Sequence, residues 1–175
     1  GAADRLRMLD LCYAGRLAAG DVLPAMQRHG VRMEMLGLGG FRDLTTPLLA
    51  QMLQPARQTM AHLGIGGCEA LLGAAALHEV CALCPNLEAL NVHQVNGMTV
   101  AAVVELLRCC TSLVSLDCHS CGWELSELPR AREQDILAGW GKSAEAWTAL
   151  GRPYGDRFCE ADVMCEARNA VRLAC

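Results

Sequence analysis

Aromatic residues are scarce in this 175-residue chain, at only 4%. Any core must therefore be filled by Leu, Ala, Val, Met and Cys. Lysine is nearly absent: Lys142 stands alone against fourteen arginines. Charged residues make up 19% against 53% apolar, which excludes a disordered tail, since such tails are rich in charge and poor in apolar residues. A net charge of −4 offers neither a basic footprint for nucleic acid nor steering toward an anionic membrane. Fully apolar runs extend over a few residues only, too short for a membrane-spanning helix. No Asn-x-Ser/Thr acceptor occurs, in keeping with an intracellular protein. The chain opens at Gly1 without a charged-then-apolar leader and stops at Cys175 inside a helical pattern. It reads as a truncated piece of a longer chain, in which a targeting segment could have been lost.

Cysteine, by contrast, is abundant. Eleven is an odd number, so a closed disulfide framework is excluded. Cys81, Cys84, Cys109, Cys110 and Cys118 sit inside apolar periodic stretches, where a free thiol behaves as a small hydrophobe. Free thiols at this density suit a reducing compartment, the cytoplasm first, or an organelle if a targeting segment has been lost.

The dominant feature is repetition. Met33-Glu-Met-Leu-Gly-Leu-Gly-Gly-Phe41 aligns with Met60-Ala-His-Leu-Gly-Ile-Gly-Gly-Cys68, Leu87-Glu-Ala-Leu-Asn-Val-His-Gln-Val95 and Leu113-Val-Ser-Leu-Asp-Cys-His-Ser-Cys121. Leu6-Arg-Met-Leu-Asp-Leu-Cys-Tyr-Ala14 completes the set, so five copies start near 6, 33, 60, 87 and 113. Each copy carries a period-2 core (Leu9/Leu11, Leu36/Leu38, Leu63/Ile65, Leu90/Val92, Leu116/Cys118), which predicts a short strand with one face inward. Between strands the spacing is helical. The predicted inward columns are Leu23/Ala50/Leu77/Val103, Met26/Leu53/Val80/Leu106 and His29/Ala56/Leu83/Cys109. A strand–helix unit of this length cannot bury its own apolar face, whereas stacked units can. The expected fold is α/β: a solenoid with a parallel sheet on one side.

The period, the turn Cys84-Pro-Asn-Leu87, the stretch Cys109-Cys-Thr-Ser-Leu113 and the terminal Cys68 and Cys121 of the strand motif resemble the cysteine-containing leucine-rich repeats found in F-box proteins. The resemblance covers residues 6–121. It implies a right-handed horseshoe with strands on the concave side and helices on the convex side, and a role in binding other proteins through the sheet. Repeats 1 and 2 depart from the pattern, with Gly30 and Arg57 where the later repeats carry cysteine. Residues 1–121 form the repeat domain. Residues 122–175 read as an irregular helical extension, with a helix at Ser126–Leu137, a degenerate sixth strand at Trp147–Leu150, and a helical stripe from Val163 to Ala174. Trp123, Trp140 and Trp147 are read as packing anchors.

Sharper chemistry is weighed against the repeat and yields to it. Cys81/Cys84 and Cys118/Cys121 have the Cys-x-x-Cys spacing of zinc ligands, yet each cysteine falls on a repeat column. The vicinal pair Cys109-Cys110 could host a reactive thiol, with Arg108 its one cationic neighbour in the sequence. Gly37-Leu-Gly-Gly40 and Gly64-Ile-Gly-Gly67 suggest a dinucleotide loop, but Arg42 and Glu69 stand where its third glycine belongs. No catalytic residue, metal or cofactor is assigned.

The outward columns carry the functional reading. They are Met8/Met35/His62/Ala89/Ser115, Asp10/Gly37/Gly64/Asn91/Asp117, Cys12/Gly39/Gly66/His93/His119 and Tyr13/Gly40/Gly67/Gln94/Ser120. Repeats 2 and 3 present a bare glycine strip, and repeats 4 and 5 a polar cluster. Tyr13, Met35, His62, Asn91, His93, Gln94, Asp117 and His119 are the candidate partner-binding residues. Arginine at Gly64 or Gly66 is expected to block a partner at little cost in stability. A histidine- or metal-dependent hydrolase would need a nucleophile and an orienting group that the pattern does not supply. The expected function is a non-enzymatic scaffold or assembly subunit binding protein partners, within a multi-subunit assembly if the apolar composition reflects burial there. The resemblance offers substrate recognition in a ubiquitin ligase as the alternative.

Overall fold

The computed structural model describes residues 6–113, 115–118 and 121. His119, the tryptophans and the expected elements of the C-terminal third lie outside the described residues. Five three-residue strands alternate with helices: β1 (Met8–Asp10), α1 (Ala19–His29), β2 (Met35–Gly37), α2 (Thr46–Leu53), β3 (His62–Gly64), α3 (Gly73–Leu83), β4 (Ala89–Asn91), α4 (Val100–Cys109) and β5 (Ser115–Asp117). The strands form one open parallel sheet in the order β1-β2-β3-β4-β5. Its register is the sequence alignment itself: Leu9, Leu36, Leu63, Leu90 and Leu116 face one another in successive pairs. Successive helices also pack on each other, so the described residues form an α/β structure of one sheet and one helix layer.

The core lies between these layers. Leu36, Leu38, Leu63, Ile65, Leu90, Val92, Leu116 and Cys118 are buried from the sheet, and Met26, Leu53, Val80 and Leu106 from the helices. Leu9 and Leu11 are half-buried against this cluster, because β1 is an edge strand.

The helical columns differ from expectation at the C-terminal turn. Of His29, Ala56, Leu83 and Cys109, only Ala56 is buried, and Cys109 is exposed. The buried positions come one residue later, at Gly30, Cys84 and Cys110. The helical dihedrals end at Leu83 and Cys109. Cys84 (φ −127°, ψ 63°) and Cys110 (φ −91°, ψ 78°) turn inward while their N–H groups still bond the carbonyls of Val80 and Leu106 at 2.8 Å. Helical periodicity no longer applies at a cap.

Polar groups repeat with the same period and tie each unit to the one before. Thr59 Oγ1 donates to the Met33 carbonyl (2.8 Å), and Asn86 Nδ2, one repeat on, donates to the Gln58 carbonyl (3.1 Å). The Asp43 carboxylate accepts the Ala19 N–H at 2.9 Å, satisfying a free donor at the start of α1. Exposed pairs stack likewise, Arg7 with Glu34 at 2.9 Å and Arg42 with Glu69 at 3.5 Å. Such surface pairs contribute about 0–1 kcal/mol each.

The thiols of the strand motif serve as buried donors. Cys68 Sγ bonds the Leu38 carbonyl at 3.2 Å, and Cys121 Sγ the Val92 carbonyl at 3.0 Å. Cys68, Cys118 and Cys121 are buried as thiols. Burial pushes the Cys68 thiol up to about 11 and those of Cys118 and Cys121 upward as well.

Candidate functional site

The glycine strip is not bare. Side chains from both flanking repeats lie across it. At repeat 1, Asp10 Oδ1 accepts the Cys12 N–H at 2.9 Å, an Asx turn. This turn carries Cys12 and Tyr13 toward repeat 2. A Cβ at Gly37 would sit 2.5 Å from Asp10 Oδ1 and 3.0 Å from Cys12 Sγ. One at Gly39 would meet Cys12 Sγ at 3.2 Å, and one at Gly40 would meet the Tyr13 ring at 2.6 Å. The Tyr13 hydroxyl lies 3.7 Å from the Cβ position of Gly67, two repeats on.

Repeat 4 closes the strip from the other side. Asn91 Oδ1 accepts the His93 N–H at 3.1 Å, the same local turn as at Asp10, and also engages His93 Nδ1 at 2.7 Å. The imidazole and the Asn91 side chain then occupy the space above Gly66: a Cβ there would run into the His93 ring and sit 2.7 Å from Asn91 Oδ1. Asn91 Oδ1 can only accept, so Nδ1 donates to it, and in the tautomer with its proton there Nε2 accepts. The Tyr13 hydroxyl meets Nε2 at 3.3 Å, across 80 residues of chain. Asp10, Cys12, Tyr13, Asn91 and His93 thus form one polar bridge over the glycines.

The fourth outward column is also not a strand position. Tyr13 (φ 58°), Gly40 (φ 79°), Gly67 (φ 68°) and Gln94 (φ 55°) all adopt the left-handed conformation. Glycine takes it at least cost, so Gly40 and Gly67 are accounted for by the backbone. The expectation that arginine at Gly66 would cost little stability is corrected by the space above it, where its Cβ alone has no room.

The sequence-predicted residues fall into three groups. Tyr13 (54% exposed) and Gln94 face solvent. Asn91, His93, Asp117 and Met35 are buried, Met35 at 2% exposure, so the outward columns are more enclosed than their alternation suggests. His62 is half-buried and lies apart, in a groove of about 380 Å³ along the N-terminal ends of the strands, which Met35, Glu34 and Glu88 also line. Its Nε2 is 3.9 Å from Glu88 Oε2. Burial lowers the His62 pKa, opposed by the charges of Glu88 and Glu34.

Cys12 escaped the sequence reading. Its Sγ accepts the Gly39 N–H at 3.2 Å, and burial, with Asp10 beside it, pushes its thiol well above the ordinary range. The signal was available in the column it shares with Gly39 and Gly66. Among the described residues, no group of three or more His, Cys, Asp or Glu side chains is arranged to hold a metal ion, and no helix is long and apolar enough to cross a membrane.

No protein-family model matches the chain, and no curated protein sequence matches it. Among solved structures, the actin-binding site 2 of leiomodin-1 is similar in fold, with a TM-score of 0.57 at 11% identity, over 85% of this chain and 89% of that one.

Proposed function

We propose that the chain is a leucine-rich-repeat solenoid, a horseshoe with strands concave and helices convex, that holds a protein partner on its strand face and performs no chemistry of its own. The observation that carries this reading is the filled strip. Five parallel strands stand in register, Tyr13 is exposed at the repeat 1 end of the bridge, and Gln94 is exposed beside its other end, where Asn91 holds His93. A pre-ordered surface with an exposed aromatic at one end loses little conformational freedom on binding. The similarity to a structure named as an actin-binding site supports a protein as the class of partner. The free thiols support a reducing compartment as its place of action.

Photo-crosslinking residues placed at Tyr13 and Gln94, and at Gln51 and Ala82 on α2 and α3, test the reading in extracts. Adducts concentrated at Tyr13 and Gln94 are expected; equal labelling of the helix positions would sink it. Monomeric and filamentous actin are the first defined probes, with Gln94→Arg expected to weaken any complex at least about tenfold.

A further inference from the structure

Away from the strand face, the C-terminal ends of α3 and α4 bring four cysteines together: Cys81 and Cys84 from one repeat, Cys109 and Cys110 from the next. The two helices are packed neighbours. Cys110 is buried, and its thiol points to the Cys84 carbonyl at 3.5 Å, so it is engaged inside the array. Cys109, one residue earlier, is exposed. Cys81 is half-buried, and its thiol lies beside those of Cys109 and Cys110. One thiol therefore meets solvent, and a second lies against it on the adjacent helix. An accessible cysteine beside a resolving neighbour is the arrangement in which a sulfenic acid can condense to a disulfide.

We propose that Cys109 and Cys81 form a peroxide-sensitive thiol pair that closes to an intrachain disulfide between α4 and α3. In the first step the Cys109 sulfur attacks one oxygen of hydrogen peroxide. The O–O bond breaks, the thiol proton leaves with the second oxygen as water, and Cys109 becomes a sulfenic acid. In the second step the Cys81 sulfur attacks the Cys109 sulfur. The S–O bond breaks, and the hydroxide departs with the Cys81 proton as water. Two thiols and one peroxide thus give one disulfide and two waters. The order of events follows from access. Burial, with Cys110 and Cys109 beside it, pushes the Cys81 thiol up to about 12, so little of it is thiolate and the exposed Cys109 meets peroxide first. The link would tie two successive repeats on the helix side without touching the Tyr13–His93 bridge.

The test uses the full chain, fully reduced, exposed to hydrogen peroxide, then blocked with N-ethylmaleimide and cleaved at arginine. Cleavage at Arg57, Arg108 and Arg130 separates residues 58–108, which hold Cys81, from residues 109–130, which hold Cys109. The expected result is loss of two free thiols per chain and a disulfide-linked pair of these two peptides that dithiothreitol releases. Cys81→Ser and Cys109→Ser should each abolish the link. Cys84→Ala and Cys110→Ala should retain it, provided their circular dichroism matches the parent. The exposed Cys109→Ser variant keeps the test decisive if a buried substitution fails to fold. The parent's melting temperature should rise on oxidation, and that of Cys109→Ser should not. A link that survives Cys81→Ser or Cys109→Ser, a bond within residues 109–130, or conversion of Cys109 to sulfinic acid without a link would each overturn the proposal.

Discussion

Repeats 1 and 4 differ sharply from repeats 2 and 3 at identical register. The first pair places Asp10 and Asn91 at the last strand position, where each caps the turn that follows, and then sends long side chains sideways. The second pair places Gly37, Gly39 and Gly40, and Gly64, Gly66 and Gly67, in the same columns. One pair supplies side chains and the other supplies the space they fill. A run of glycines in a sheet thus need not be an open floor; here much of it is the socket for Asp10, Cys12, Tyr13, Asn91 and His93.

Filling the socket should break the arrangement most where the incoming side chains are most enclosed. Gly66→Ala drives a methyl group into the His93 ring and Asn91, and overpacking of this kind costs about 1–3 kcal/mol. Urea denaturation would show it, and an unchanged midpoint would mean that His93 moves aside freely. Gly40→Ala should follow, at about 1–2 kcal/mol, from a left-handed φ of 79° and the Tyr13 ring. The two causes separate in a double-mutant cycle. In a Tyr13→Ala background only the backbone part should remain, so a coupling energy near zero would mean the ring does not rest on Gly40.

The reverse exchange tests the other member of the comparison. Gln94 is exposed and holds φ at 55°, so Gln94→Gly should relieve strain and stabilise the chain by about 0.5–1 kcal/mol in the same assay. A loss of stability would show that the Gln94 side chain makes contacts that outweigh its backbone strain. The smallest effect is expected at His62, as a change in pH dependence. Its folded pKa lies below the ordinary 6.5, so the unfolded chain binds the proton first on acidification. The stability His62 contributes is complete above about pH 6.5 and is lost as pH falls toward the folded value. His62→Gln should flatten the parent's decline in melting temperature between about pH 7 and 5. Parallel curves for the two proteins would remove burial as the cause.

Much of the framework was legible from residue spacing. Leu36, Leu63, Leu90 and Leu116 face one another as their alignment predicts, and Met26, Leu53, Val80 and Leu106 are buried in one column. The column at His29, Leu83 and Cys109 was not legible, because a helical period says nothing about the residue at which the helix stops. The candidate site was legible as a set of residues and not as a shape. Tyr13 and Gln94 are exposed as expected, but Met35, Asn91, His93 and Asp117 are buried. Alternation assigns a side chain to a face, whereas enclosure depends on what the neighbouring repeats lay over that face.

The sequence by itself determined the in-register parallel sheet. Units of 27 or 26 residues, each too small to bury its own apolar face, achieve burial by stacking at matching positions. Only the tertiary structure decided what spans the glycines. Tyr13 and His93 are 80 residues apart, yet three strand spacings, about 14 Å, separate their repeats. A tyrosine leaning one way and an imidazole held by Asn91 leaning the other close that distance, and they can do so because the positions between them carry no side chains to stop them.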